Sequence, residues 1–204
     1  MGSFTLVLGT RNAKKKKELV LLLEPHGFRL LTLADFPNAL EVEETGQTFA
    51  ENAALKAVAQ AKHLRQWVLG EDSGLSVDAL SGAPGVYSSR FAGLQANDEQ
   101  NNDLLLQRLS GVPPEKRTAH YTCHVTVADA TGAVRLKCED HCAGRIRLER
   151  AGQDGFGYDP LFEIPEYHLT FGELGDAVKS VLSHRARALR RAIPALVRLS
   201  QSTR

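Results

Sequence analysis

Two adjacent carboxylates, Glu71 and Asp72, follow the short apolar run Trp67-Val68-Leu69 and precede Ser73-Gly74. That order predicts a strand delivering acids to its carboxyl end, with Ser73-Gly74 as a break, where open α/β sheets place their ligands. Carboxylates are hard oxygen ligands suited to Mg²⁺ and, through it, to phosphate. A second group of turn residues, Gly82-Ala83-Pro84-Gly85, follows and predicts a tightly built turn.

Other segments carry donors. Thr10-Arg11-Asn12-Ala13-Lys14-Lys15 joins an apolar run to a helical pattern. Backbone N–H groups at a helix start attract anions, and a lysine in the first turn adds charge. The plain alternative is that Asn12 is only an N-cap. The Walker glycine pattern is missing, so this is not a P-loop. Asn52 and Lys56 share one helix face. From there Lys56 either reaches a phosphate or stays solvated. Phe156-Gly157-Tyr158-Asp159-Pro160 combines a glycine that permits close backbone approach with aromatic faces on which a base can stack. A buried aromatic corner is the structural alternative. Ser183 suits an N-cap, while His184 and Arg185 are donors. A site built from such donors welcomes a 6-oxo purine and disfavours the 6-amino group of adenine.

These groups need elements to hold them. Phe4 to Leu8 reads as a strand, and Met1 to Leu8 begins as a strand rather than as a secretion signal. Ala13 to Leu23 reads as a helix with Leu19, Leu22 and Leu23 on one side, stopped by Pro25-His26-Gly27. Phe28 to Leu33 is a strand, and 35–46 is acidic and irregular. Thr48 with Glu51 forms a capping box, opening an alanine-rich helix to about Gln66. Asn97 to Leu109 is a further helix. Thr118 to Val127 and Val134 to Leu148 alternate and read as an antiparallel hairpin turned at Asp129-Ala130-Thr131-Gly132. Ser183 opens a closing basic helix to about Leu199, with Pro194 expected to kink or interrupt it. The pattern is mixed α/β, with a second small lobe around 97–150.

Composition sets outer bounds. The 204 residues suffice for one domain with a full core, and 43 % apolar with 24 % charged residues is ordinary for a globular protein. A net charge of +1 gives no electrostatic footprint for nucleic acid or a membrane surface. No apolar run approaches the roughly 20 residues of a membrane span. A cytoplasmic location is the default expectation. Three cysteines argue against a disulfide framework. Cys123, Cys138 and Cys142 lie near His120, His124 and His141, which raises zinc. Strand parity opposes it: Cys123 falls on the face of Tyr121, Val125 and Val127, and His120 and His124 on the other. Cys138 and Cys142 fall on the face of Val134, Leu136 and Ile146. Cysteine in such places behaves as a small buried hydrophobe.

Five motifs taken together resemble the inosine triphosphate pyrophosphatase family, hydrolases that remove deaminated purine nucleoside triphosphates. They are Thr10-x-Asn12-x-x-Lys15; Glu43-Glu44-Thr45-Gly46 with Thr48-Phe49-x-Glu51-Asn52-Ala53-x-x-Lys56; Glu71-Asp72-Ser73-Gly74-Leu75 through Gly85; Phe156 to Pro160; and Ser183-His184-Arg185. The resemblance implies an elongated two-lobed α/β fold, with a long central mixed β-sheet flanked by helices and a cleft between the lobes. Residues 1–204 would form a single domain and the protein a homodimer. The resemblance also implies cleavage between the α- and β-phosphates of ITP, dITP or XTP, releasing a monophosphate and pyrophosphate.

Carried over by position, the resemblance implies that Asp72 binds Mg²⁺ and accepts the proton of the attacking water. Glu43 is the first choice for the second metal carboxylate and Glu44 the second. Thr10, Arg11, Asn12, Ala13, Lys14 and Lys15 form the phosphate loop, and Lys56 is a basic position near the phosphates. Ser73, Phe156, Gly157, Tyr158, Asp159, Lys179, His184 and Arg185 match substrate-binding positions. Glu71 stands where many relatives carry aspartate, Arg11 where glycine is frequent, and Ala186 where glycine often follows the Ser-His-Arg motif. Two other readings stay open: a pyrophosphatase for other modified or pyrimidine nucleotides, and a non-catalytic purine nucleotide sensor. Intact Glu43, Asp72 and Lys15 speak against the sensor.

Overall fold

A computed structural model describes residues 4–202. The first three residues of the Met1 to Leu8 stretch lie outside the described residues. Seven strands form one mixed sheet: β1 (Thr5–Leu8), β2 (Arg29–Thr32), β3 (Val68–Val77), β4 (Thr118–Ala128), β5 (Val134–Ile146), β6 (Phe162–Ile164) and β7 (Leu169–Thr170). Their order is β2-β1-β3-β4-β5-β6-β7. β1 runs parallel to β2 and β3, whereas β5, β6 and β7 pair antiparallel. β4 and β5 are neighbours joined by the short turn 129–133, which only an antiparallel pair allows. The helices are α1 (Ala13–Leu23), α2 (Phe49–Leu64), α3 (Asp98–Arg108), α4 (Phe171–Leu182) and α5 (His184–Ser202).

Contacts divide the chain into two compact units. The first holds residues up to Asp72, Cys123–Asp140 and residues from Arg185 onward; the second holds Ser73–Thr122 and His141–His184. This differs from a second lobe at 97–150. The distal half of the β4–β5 hairpin packs with the first unit, and 73–96 and 151–184 join the second.

In the first unit β1 and the first half of β3 are buried on both faces, as parallel strands covered by helices require. Leu6, Leu8 and Leu69 pack with Leu19 and Leu23 of α1 and with Leu189, Ala192, Ile193 and Leu196 of α5. Val7 and Val68, one position out of phase, pack with Ala57 and Ala61 of α2. Cys123 and Cys138 belong to the α1/α5 core. The second unit has its own core, in which Leu75 and Val77 meet Leu105, Tyr121, Cys142, Phe162 and Phe171.

Three expectations change. β3 does not stop at Asp72: it continues through Ser73-Gly74 to Val77. What stops is its parallel neighbour, since β1 ends at Leu8 opposite Leu69. The acids therefore lie beyond the carboxyl end of β1, within a strand that goes on. α2 ends at Leu64 rather than near Gln66, because Arg65 turns left-handed (φ 53°, ψ 42°). α5 passes uninterrupted through Pro194. Its buried row of Leu189, Ala192, Ile193 and Leu196 outweighs a proline penalty of about 3 kcal/mol.

Candidate active site

The first unit gathers the acids and lysines. Asn12 caps α1: its Oδ1 accepts the backbone N–H groups of Lys14 and Lys15 at 2.9 and 3.1 Å. The hydroxyl of Thr10 accepts the N–H of Asn12. The plain capping role of Asn12 is thus present, and it also fixes the start of the helix on which Lys14 and Lys15 ride. Ala13 is exposed at the first position of α1. Arg11, expected on the phosphate side, is exposed and reaches the neighbouring segment. Its guanidinium donates to the carbonyls of Ala39 and Leu40 at 2.9 and 3.4 Å, fastening the loop to the irregular segment.

α2 carries the partners of Asp72. The Thr48–Glu51 capping box forms as read from the sequence. One turn later, Asn52 donates from Nδ2 to Asp72 Oδ2 (3.3 Å) and accepts the N–H of Gly46 at Oδ1 (2.8 Å). On the same face Lys56 Nζ lies 2.9 Å from Asp72 Oδ1 and 2.7 Å from Glu44 Oε1. Gly70 makes this possible. A methyl there would run into the Ala53 carbonyl oxygen and lie 2.7 Å from the Ala57 nitrogen. Only a bare backbone lets α2 lie this close to β3.

Burial lifts the Asp72 carboxyl above its ordinary range, and Lys56 and Lys15 pull it only partly back. Burial works against the charge of Lys56, yet Asp72 and Glu44 outweigh it and hold the ammonium above its usual value. Glu43, the first choice for a metal ligand, is exposed; Glu44 is the glutamate brought onto the shared cation. Among the described residues no group of three His, Cys, Asp or Glu side chains stands ready as a metal cage. Mg²⁺ needs less, since one or two carboxylates with substrate phosphates and waters complete its shell. Two carboxylates already arranged around one positive charge fit that requirement.

Glu71 and Asp72 have different partners on the two faces of β3. Successive strand residues face opposite ways. Glu71 points to the α1/α5 side, where its side chain is fully buried. Arg185 follows it there. Its Nη2 and Nε lie 2.9 and 3.3 Å from Glu71 Oε1, and its Nη1 pairs with Glu18. Three nitrogens of Arg185, a position expected to offer donors to a purine, are directed at carboxylates.

The second unit holds the remaining positions. Ser73 is half-buried on β3. Lys179 Nζ lies 2.6 Å from Asp159 Oδ2 and 4.2 Å from the centroid of the Phe156 ring. Asp159 Oδ2 also accepts the N–H of Phe156 at 2.8 Å. The two aromatic readings of this loop divide between its two rings. Tyr158 is the buried corner, with its hydroxyl donating to the Ser88 carbonyl at 2.8 Å. Phe156 is half-buried and carries the lysine on its face. The ring of His184 stacks on Tyr121, with centroids 4.7 Å apart and planes 10° apart.

Several positioning residues went unread in the sequence. Asp98 Oδ2 accepts the N–H of Gly157 at 2.9 Å, and Asn102 donates to the Gly157 carbonyl at 2.8 Å. Tyr121 holds His184. The alternation of Thr118 to Val127 had turned Tyr121 inward but could not say against what.

The Ham1 family model matches residues 6–195. A dITP/XTP pyrophosphatase of Rhodopirellula baltica is 58 % identical over 199 residues, covering 98 % of this chain and 96 % of that protein. A dITP/XTP pyrophosphatase of Desulforamulus reducens is 49 % identical over 194 residues, 95 % of this chain and 96 % of that one. The solved structure of a HAM1 protein from Coxiella burnetii superposes with a TM-score of 0.87 at 35 % identity, covering 96 % of this chain and 99 % of that one.

Proposed function

The chain belongs to the Ham1 family, and from that premise we propose that it is a nucleoside triphosphate pyrophosphatase acting on ITP, dITP and XTP. Water attacks between the α- and β-phosphates, and the products are the nucleoside monophosphate and pyrophosphate. The whole chain serves as one catalytic domain. It works as a homodimer, without nucleic acid or a membrane, and in the cytoplasm. No described helix is long and apolar enough to cross a membrane.

The observation that carries this reading is the pair of carboxylates, Asp72 and Glu44, sharing the Lys56 ammonium. A site that gathers acids around a cation suits a metal–polyphosphate complex. Asp72 and Glu44 would hold Mg²⁺, which would neutralise charge on the phosphate oxygens when bound. Lys15 and Lys56 offset the remaining negative charge of the triphosphate, and the positive end of the α1 dipole adds to the attraction. Asp72 takes the proton of the attacking water. Phe156 offers its ring to the base, and His184, held flat by Tyr121, donates to the 6-oxo oxygen.

Product identification by chromatography across a triphosphate panel, with and without Mg²⁺, tests this. Pyrophosphate with IMP, dIMP or XMP is the expected result, dependent on the metal. Orthophosphate alone, or a preference for pyrimidine triphosphates, would overturn it. Glu44→Gln is expected to raise the Mg²⁺ requirement more than Glu43→Gln; the opposite order would return the ligand to Glu43.

A further inference from the structure

Glu71 has no part in the chemistry just described, yet it is the most deeply placed acid of the first unit. It belongs to a row of alternating charges, Lys15, Glu71, Arg185 and Glu18. Lys15 Nζ lies 3.1 Å from Glu71 Oε2, and Arg185 pairs with Glu71 Oε1 and with Glu18. Lys15 and Glu18 stand three apart on α1 and so share one face. The side chains of Glu71 and Arg185 are 0 % and 1 % exposed, whereas the two ends of the chain of charges, Lys15 and Glu18, are 17 % and 21 % exposed. The Sγ of Cys123 adds a donor to Glu71 Oε1 at 3.4 Å. Burial holds that thiol well above its ordinary pKa, so it stays protonated as a donor.

Burying the charges of Glu71 and Arg185 is costly, and an apolar pair of similar volume generally packs at least as well. What an apolar pair lacks is a way to hold a lysine. The Lys15 stem is long and flexible, and ordering it carries an entropy cost that falls on substrate binding unless it is met beforehand. A carboxylate clamped from behind by Arg185 holds the ammonium in one place before the substrate arrives. Glu18, reaching Arg185 from the same helix, fixes the rotation of α1 about its axis.

We propose that Glu71 is a positioning residue that holds the Lys15 ammonium at the phosphate loop, with Arg185 and Glu18 clamping Glu71 in turn. This rests on the reading of residues 10–15 as the phosphate-binding loop. It separates the roles of two adjacent acids: Asp72 serves the reaction, and Glu71 serves a cation on the other side of the strand.

A double-mutant cycle with Glu71→Gln and Lys15→Met, followed as KM and kcat on dITP, tests it. Lys15→Met is expected to raise KM about tenfold or more, the scale of one lost charge-assisted contact. Glu71→Gln should raise KM about fivefold with kcat within about twofold, and the double variant should be no worse than Lys15→Met alone. Multiplicative effects in the double variant, or a fall in kcat with KM unchanged in Glu71→Gln, would overturn the positioning role while leaving the phosphate loop intact. An unchanged KM in Lys15→Met would overturn the phosphate-loop reading itself, and this inference with it. If Glu71→Gln does not fold, Glu71→Asp keeps the charge for Arg185 but shortens the reach to Lys15, and the same cycle applies with the same outcomes.

Discussion

Asp72 and Lys56 form a buried ion pair at 2.9 Å, and the carboxyl of that pair still lies above its ordinary range. Desolvation is the largest influence on it, and the nearby Glu44 adds to the shift. Lys56 is the main group holding it ionised.

The acid limb of kcat/KM is therefore expected above the ordinary aspartate value of about 3.9. Lys56→Met should move that limb to still higher pH, because its loss leaves burial and Glu44 unopposed except by Lys15. A pH–rate profile of both proteins decides this. A limb that stays in place would remove Asp72 as the titrating group.

Asp72→Asn should lose activity by about 10²–10⁴-fold, the usual contribution of a positioned base. Its stability should hold or rise at neutral pH. The folded state keeps the Asp72 proton more tightly than the unfolded chain does. Ionisation therefore costs stability as pH rises from about 3.9, where the unfolded chain titrates, through the higher folded value. The neutral amide avoids that cost. Denaturant unfolding at pH 7 provides the check, and a large loss of stability would contradict the sign.

Gly70→Ala should cost about 1–3 kcal/mol, because the added methyl meets backbone atoms of α2 rather than a yielding side chain. Activity should fall further than stability alone explains, since Asn52 and Lys56 move with α2. Unfolding and kcat/KM measured on the same preparation separate the two effects.

His184→Phe keeps a ring to stack on Tyr121 but removes the donor. Preference for dITP over dATP, taken as a ratio of kcat/KM values, should fall by about 10–100-fold, with the melting temperature little changed. An unaltered ratio would mean that the 6-oxo group is read elsewhere.

Asp129 provides a stability test away from the site. The Thr131 hydroxyl, despite some burial, and then Arg135 and the N–H groups of Thr131 and Ala133 hold its carboxyl well below the usual range. The stabilisation is complete above about pH 4 and is lost as pH falls toward the depressed value. Asp129→Asn should cost about 1–3 kcal/mol at pH 7 and should flatten this part of the acid unfolding curve.

What could be read from sequence was local. The Thr48–Glu51 capping box, the cap at Asn12 and the hairpin turn at 129–132 each depend on residues a few positions apart, and all three form. The capping box of Thr170 with Glu173 was equally readable, but α4 is broken at Gly175 (φ 73°, ψ 174°) and its periodicity is blurred. β3 runs on past Asp72 with β4 as its neighbour in the sheet, and no residue of 68–77 announces that neighbour. Arg185 meets Glu71 across 114 positions, and nothing in the Ser-His-Arg motif tells an outward donor from a buried counter-ion.

The alternation along β3 also limits how this chain can change. Deleting Gly70, or inserting one residue between Leu69 and Glu71, would exchange the faces of the two acids, turning Glu71 toward α2 and Asp72 toward Arg185. Length changes at this point are tolerated only in pairs, if at all. The irregular 36–47 segment carries no such parity rule.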